Sequence, residues 1–120
     1  MEKKATVAGL FRNAKDTRKV DAGAVIFDEG DLGAEMFGII DGEVELRGKG
    51  GGVLRRLGPQ EVFGEMALID DSPRSLTAVA VTDTTLAMID RHRFLFLVQE
   101  TPMFALNVMS VMAEHLRDRG

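Results

Sequence analysis

The residues of this chain best suited to chemistry lie in one short stretch. It runs Phe63-Gly64-Glu65-Met66-Ala67-Leu68 and, after four more residues, Pro73-Arg74-Ser75-Leu76-Thr77-Ala78. Gly64 permits a backbone conformation, or a close approach to a ligand, that a side chain would forbid. Residues 65–69 suffice for one helical turn, whose unbonded N–H groups favour an anion. Arg74, held behind Pro73, presents a planar fork that matches phosphate oxygens. Ser75 adds a hydroxyl and an amide. An ionised Glu65 only accepts hydrogen bonds, which suits a sugar hydroxyl. Together these groups would hold a sugar phosphate. The same spacing fits a plain Glu65–Arg74 salt bridge across a loop, with Gly64 as a simple turn. On spacing alone that plainer reading has the better claim.

Other chemistries find less support. Gly48 to Gly52 is glycine-rich, but no Gly-Lys-Ser/Thr follows and Val53 stands where a dinucleotide fingerprint needs glycine, so a hairpin loop is expected. Asp28, Asp31 and Asp41 do not have calcium-loop spacing and read as surface turns. His92 and His115 are the only histidines and fall on two different expected helices, which speaks against a metal centre. Ser72, Ser75 and Ser110 have no histidine near in sequence for triad chemistry. There is no cysteine, hence no disulfide or thiol chemistry. The formal net charge is −4, the wrong sign for a protein living on nucleic-acid phosphates, so no direct nucleic-acid binding is expected. The longest apolar run, Phe94 to Val98, is too short for a membrane span. The first residues lack the apolar stretch of a signal peptide, and a cytoplasmic location is expected.

The elements that would position the stretch can be read from pattern. Val7, Leu10, Phe11 and Ala14 recur at helical spacing, predicting an N-terminal helical segment over 1–18. From residue 19 to 89, short apolar runs alternate with glycine or aspartate punctuation. Asp41-Gly42 signals a type I′ hairpin, and Gly38 suggests a bulge or slack packing inside its strand. About eight strands fit, at the spacing of a sandwich or closed roll. Residues 90–118 switch to helical periodicity. Asp90 caps a first helix, and Thr101-Pro102 opens a second. In that second helix Leu106, Met109, Ala113 and Leu116 repeat at 3-4-3 spacing, while Phe104, Val108, Val111 and Met112 widen the apolar stripe. A helix so apolar needs cover on more than one side. A second copy of the chain, a ligand or a partner would supply it.

Phe63, Gly64, Glu65, Ala67, Leu68, Pro73, Arg74, Ser75 and Thr77 resemble the phosphate-binding cassette, here 63–78, of the cyclic nucleotide-binding domain family. That family includes the bacterial catabolite activator and protein kinase A regulatory subunits. Gly30-Asp31, Phe37, Ile39, Ile40, Gly42 and Val44 resemble its early strand–turn–strand block. Leu76 departs from the family pattern, which has a small residue there and so a differently shaped pocket. The resemblance implies a single domain over 1–120, mainly β: an eight-stranded β-roll or jelly roll with an N-terminal helical segment and two C-terminal helices. It implies a cyclic nucleotide as ligand, cAMP before cGMP, with no cofactor and no catalysis. Arg74 would meet the phosphate, helped by Ser75 and the Ala67 amide. Glu65 and the Gly64 backbone would take the ribose 2′-hydroxyl, with Met66 and Thr77 completing the set. Arg119 would be a lid over the base. Output would come from movement of the last helix, acting on an effector not named by the sequence or on a homodimer partner. A chain of 120 residues is expected to hold the sensor and no output domain, standing alone or as a piece of a larger regulator. A nucleotide-independent interaction module on the same fold is the alternative.

Overall fold

The computed structural model describes Phe11, Ala14 and residues 16–119, apart from the side chains of His115, Asp118 and Arg119. The strands are β1 (Thr17–Val20), β2 (Val25–Phe27), β3 (Glu35–Asp41), β4 (Val44–Arg47), β5 (Val53–Leu57), β6 (Val62–Phe63), β7 (Thr77–Ala80) and β8 (Thr84–Asp90). They form two four-stranded antiparallel sheets, ordered β1-β8-β3-β6 and β2-β7-β4-β5. Helices α1 (Arg91–Glu100) and α2 (Met103–Arg119) follow. This is the mainly β roll with two C-terminal helices. The N-terminal helical segment expected over 1–18 falls largely outside the described residues. Its last two positions belong instead to β1, where Thr17 and Arg18 pair with Ala87 and Leu86. An edge strand with three exposed side chains in a row shows no apolar period, so pattern reading passes over it.

Strands β3, β6 and β8 of the first sheet are buried on both faces, which explains why β3 reads as a nearly continuous apolar run. Phe37 and Ile39 of β3, Phe63 of β6 and Leu86 of β8 face the second sheet, where Ile26, Val44 and Leu46 meet them. Their alternate neighbours Met36, Val62, Ala87 and Ile89 face the helices, against Leu97, Phe104 and Val108. The period-two alternation of a strand thus feeds two separate cores.

The Asp41-Gly42 turn is not a hairpin. Strand β3 pairs with β6 and β8, whereas β4 pairs with β5 and β7. The turn therefore carries the chain from one sheet to the other. Gly42 has φ 99°, and a Cβ there would lie 2.6 Å from the Asp83 carbonyl oxygen. The dipeptide signals positive φ and is silent on whether its flanking strands pair. The Gly48 to Gly52 segment does join a hairpin, between β4 and β5.

Gly38 is neither bulged nor loosely packed. It pairs in register with Ala87 and Val62, and a Cβ on it would sit 2.4 Å from the Phe11 ring. The glycine makes room for that ring, which is 2% exposed and meets Phe104 of α2 edge-on at 6.3 Å. Gly38→Ala should push Phe11 out of its seat. The expected loss, for a buried phenylalanine returned to water, is roughly 1.5–3 kcal/mol of unfolding free energy, read from a urea midpoint. An unchanged midpoint would show that Phe11 contributes nothing there.

Candidate ligand-binding site

Two connections carry most of the candidate residues, the segment joining β6 to a short 3₁₀ turn (Glu65–Leu68) and the loop into β7, and the turn after β2 packs beside them. Gly64 caps the 3₁₀ turn in the left-handed region, φ 76°, where a side chain would be strained. The turn is closed by the Ile69 amide donating to the Met66 carbonyl (3.0 Å) and by a long bond from the Ala67 amide to the Gly64 carbonyl (3.4 Å). Beyond it the Ser72 amide donates to Asp70 Oδ1 (3.0 Å), shaping the approach to Pro73. The Arg74 amide donates to the Asp31 carbonyl and the Gly30 amide to the Arg74 carbonyl, both at 2.8 Å. This two-bond ladder fixes the arginine main chain to the turn after β2.

The Arg74 side chain is 9% exposed and tied down at both ends of its fork. Nη1 donates to the Gly64 carbonyl (3.0 Å) and Nη2 to the Glu35 carbonyl (2.8 Å). Its Cζ lies 4.2 Å from the centroid of the Phe27 ring. That ring belongs to a cluster with Phe37 and Phe63, at centroid distances of 5.9 and 6.0 Å. Gly33 presses in so closely that a Cβ there would be 2.5 Å from Nη2. Burial pushes the guanidinium below its ordinary pKa, and the charges of Glu35, Asp31 and Glu65 pull it back. Glu65 is 1% exposed in the same turn.

A pocket of about 190 Å³ opens here, lined by Gly64, Glu65, Met66, Ala67, Arg74 and Ser75 together with Phe27, Leu46, Asp70, Ser72, Pro73 and Leu76. Six of the sequence-derived site residues are thus gathered around one space. Thr77 is not among the lining residues. Its hydroxyl accepts from the Glu29 amide (3.0 Å), holding the turn after β2 against β7. Arg119 ends α2, and its side chain lies outside the described residues. Sequence reasoning missed Phe27, Leu46 and Asp70 as lining residues, and Gly33 and Glu35 as supports of Arg74. Phe27 and Leu46 read as core positions, which they also are. Glu35 acts through its main chain, which no side-chain pattern reports.

The site touches the helices directly. Arg91, the first residue of α1, donates from Nη2 to the Leu68 carbonyl at the end of the 3₁₀ turn (2.8 Å). On the second sheet, Arg55 of β5 meets Glu114 of α2 at 3.4 Å. Among the described residues no group of histidine, cysteine or acidic side chains could hold a metal ion, and no helix is long and apolar enough to cross a membrane.

The family model of the cyclic nucleotide-binding domain matches residues 17–101, which include every part of this pocket. The chain belongs to that family. It is 42% identical over 100 residues to the cyclic AMP receptor protein of Thermus thermophilus, covering 80% of this chain and 46% of the relative. The catabolite activator protein structure from Thermus thermophilus superposes with a TM-score of 0.75 at 36% identity, over 98% of this chain and 55% of that one. A structure from work on a cyclic-GMP-dependent signalling pathway in bacterial phytopathogenesis superposes with a TM-score of 0.77 at 28% identity, over 98% and 94%. The chain thus spans about half the length of its Thermus relative.

The seat of the arginine gives this cyclic nucleotide-binding domain a test that needs no ligand. Gly33→Ala would place a methyl group on the guanidinium and break its bond to the Glu35 carbonyl. A hydrogen bond from a charged donor contributes about 1.5–3 kcal/mol. Thermal unfolding of the variant should fall by a corresponding amount. Full retention of stability would mean that the Arg74 contacts contribute nothing to the fold.

Proposed function

We propose that the chain is a sensor module that binds a cyclic nucleotide, with cAMP as the first candidate, and signals without catalysis. The observation that carries this reading is the pairing, in one pocket, of a buried cation fixed at both ends of its fork with a carboxylate buried in the adjoining turn. A cyclic phosphate carries a single negative charge, and Arg74 supplies the matching cation. Ser75 contributes a hydroxyl at the rim, and the Ala67 amide, whose bond to the Gly64 carbonyl is long at 3.4 Å, would exchange it for a phosphate oxygen. Glu65 accepts from the ribose 2′-hydroxyl. A deoxyribose would leave that buried carboxylate without the contact and bind less well. Apolar surface from Phe27, Leu46 and Leu76 faces the rest of the ligand. Similarity to a cyclic AMP receptor protein supports cAMP, and the neighbour from a cyclic-GMP-dependent pathway keeps cGMP as the second ligand to test.

The output is a population shift. Ligand reorders the 3₁₀ turn, and the Arg91–Leu68 bond passes the change to α1 and on to α2. Helix α2 leaves Leu106, Met109 and Leu116 exposed by 52%, 59% and 68%. With Ala113 these positions form a seam at coiled-coil spacing, suited to a second copy of the chain.

Calorimetric titration with cAMP and cGMP should give saturable binding. Two charge-assisted bonds at roughly 1.5–3 kcal/mol each make Arg74→Ala weaker by at least about a hundredfold. Absence of heat with either nucleotide up to millimolar concentration would refute the sensor reading, and equal binding by Arg74→Ala would refute the site.

Sedimentation equilibrium should show a dimer that Leu106→Glu and Met109→Glu dissociate. A chain that stays monomeric at high concentration, with and without cAMP, would rule out the α2 seam as a dimer interface.

A further inference from the structure

A second cavity lies away from the pocket beside Arg74. It opens between α1, the end of β8 and residues ahead of β1, and measures about 350 Å³ against about 190 Å³ for the first. No described residue lines both. Its volume falls within the range of small-molecule sites, about 300–1,000 Å³. Ala87 and Ile89 of β8, Leu97 of α1 and Phe11 give it an apolar lining, and all four are buried.

One lining cation lacks an anion. Arg93 is half-buried, and its Cζ lies 5.0 Å from the centroid of the Phe96 ring, which lines the same cavity. Asp90 is occupied by the main chain, its Oδ1 accepting from the Arg93 amide at 2.8 Å. Among the described residues the Arg93 guanidinium has no hydrogen-bond or ion-pair partner. The contrast with other arginines is plain. Arg47, Arg55 and Arg56 meet carboxylates, and Arg74 and Arg91 meet main-chain carbonyls.

We propose that this cavity is a second small-molecule site, for a carboxylic acid with an apolar or aromatic body: Arg93 takes the carboxylate, and the lining of Phe11, Ala87, Ile89 and Leu97 takes the body. A half-buried cation gives up hydration, and a ring face returns only part of it. The planar guanidinium fork matches a carboxylate in two parallel bonds. Stacking on Phe96 orients that fork before a ligand arrives. A sugar phosphate would find one cation here and little else that is polar, whereas a hydrocarbon body removes its surface from water against four apolar side chains. His92, in the same turn of α1, also lines the cavity and can donate from its ring. The site lies two residues along α1 from Arg91, whose bond to the Leu68 carbonyl reaches the 3₁₀ turn. It is thus placed as a second input to the helices, and it does not depend on which ligand Arg74 holds.

The test is a nuclear magnetic resonance titration of the intact, isotope-labelled chain with octanoate and phenylacetate, and with phenylacetamide as the uncharged match. Both acids should bind saturably, with dissociation constants of about 0.1–1 mM for ligands of about ten heavy atoms. Amide signals of residues 87–90 and 92–97 should move, and those of residues 64–76 should not. Phenylacetamide should bind at least about tenfold more weakly than phenylacetate, and Arg93→Gln should weaken both acids by a similar factor. The guanidinium makes no hydrogen bond among the described residues, so this variant should keep the wild-type spectrum away from the cavity. The comparison of acid with amide needs no variant at all. Lack of saturable shifts with either acid up to tens of millimolar, equal binding of phenylacetate and its amide, equal binding by Arg93→Gln, or shifts centred on residues 64–76 would each overturn the site. Shifts at residues 87–90 and 92–97 that follow protein concentration instead of added acid would put a second copy of the chain in the cavity and overturn it as well.

Discussion

Holding the Arg74 guanidinium inside the roll is the constraint on which the pocket depends. A buried charge without partners is expensive, and most of this site is the structure's way of offsetting that cost. The Gly64 and Glu35 carbonyls take its two terminal nitrogens. The Phe27 ring supports it by a cation–π contact, and Gly33 yields the space it occupies. Each partner makes its own demand on the chain. Gly64 must adopt a left-handed conformation to aim its carbonyl and start the 3₁₀ turn, and Glu35 must open β3 at the right register. The same contacts that stabilise the cation fix its direction, so a phosphate bound as proposed would meet a group that is already oriented. Preorganisation of this kind reduces the ordering cost of binding.

The register of β3 also brings the site close to the helices. Glu35, whose carbonyl holds Arg74, pairs with Asp90 of β8. Asp90 is the N-cap of α1, its side chain accepting from the Arg93 amide at 2.8 Å. The next residue, Arg91, reaches back to the Leu68 carbonyl. The start of α1 is therefore linked by hydrogen bonds to both halves of the pocket, the arginine and the 3₁₀ turn. Strand β3 adds a packing link, since Phe37 belongs to the core beneath the arginine and Met36 to the core beneath the helices. A displacement at the site has short, polar and apolar routes to α1.

What the sequence disclosed, and what it hid, follows from where each residue acts. Gly64, Glu65 and Arg74 were legible because their types are rare in combination and act through side chain or backbone at their own positions. Strands β2 to β5, β7 and β8 were legible as short apolar or alternating runs between glycine and aspartate turns, whereas β6, two residues inside the chemical stretch, does not read as a strand. Strand β1 lies at an edge with its side chains exposed and carried no such mark. Asp41-Gly42 announced a positive φ and not the sheet crossing, because pairing partners are set by strands far away in the chain. Gly38 looked like a defect until Phe11, 27 positions earlier, was seen to fill the space above it. Gly33 is the same case: its role is the absence of a side chain where a distant arginine lies. Contacts made by a missing atom or by a carbonyl leave no trace in residue type.

An acidic chain that holds an anion is a contradiction only if charge is averaged over the molecule. The formal net charge of −4 acts at long range, where salt screens it within about 8–10 Å. Arg74 acts at contact, from a site where water is largely displaced and its field is weakened least. The two scales therefore do different things. The distant charge slows the approach of any anion and lets salt speed it, whereas in the proposed site the buried cation would set how long a matching anion stays. The charges of Glu35 and Asp31 oppose the effect of burial on the Arg74 pKa. One cation at contact would therefore be enough to hold a singly charged phosphate whatever the net charge of the chain.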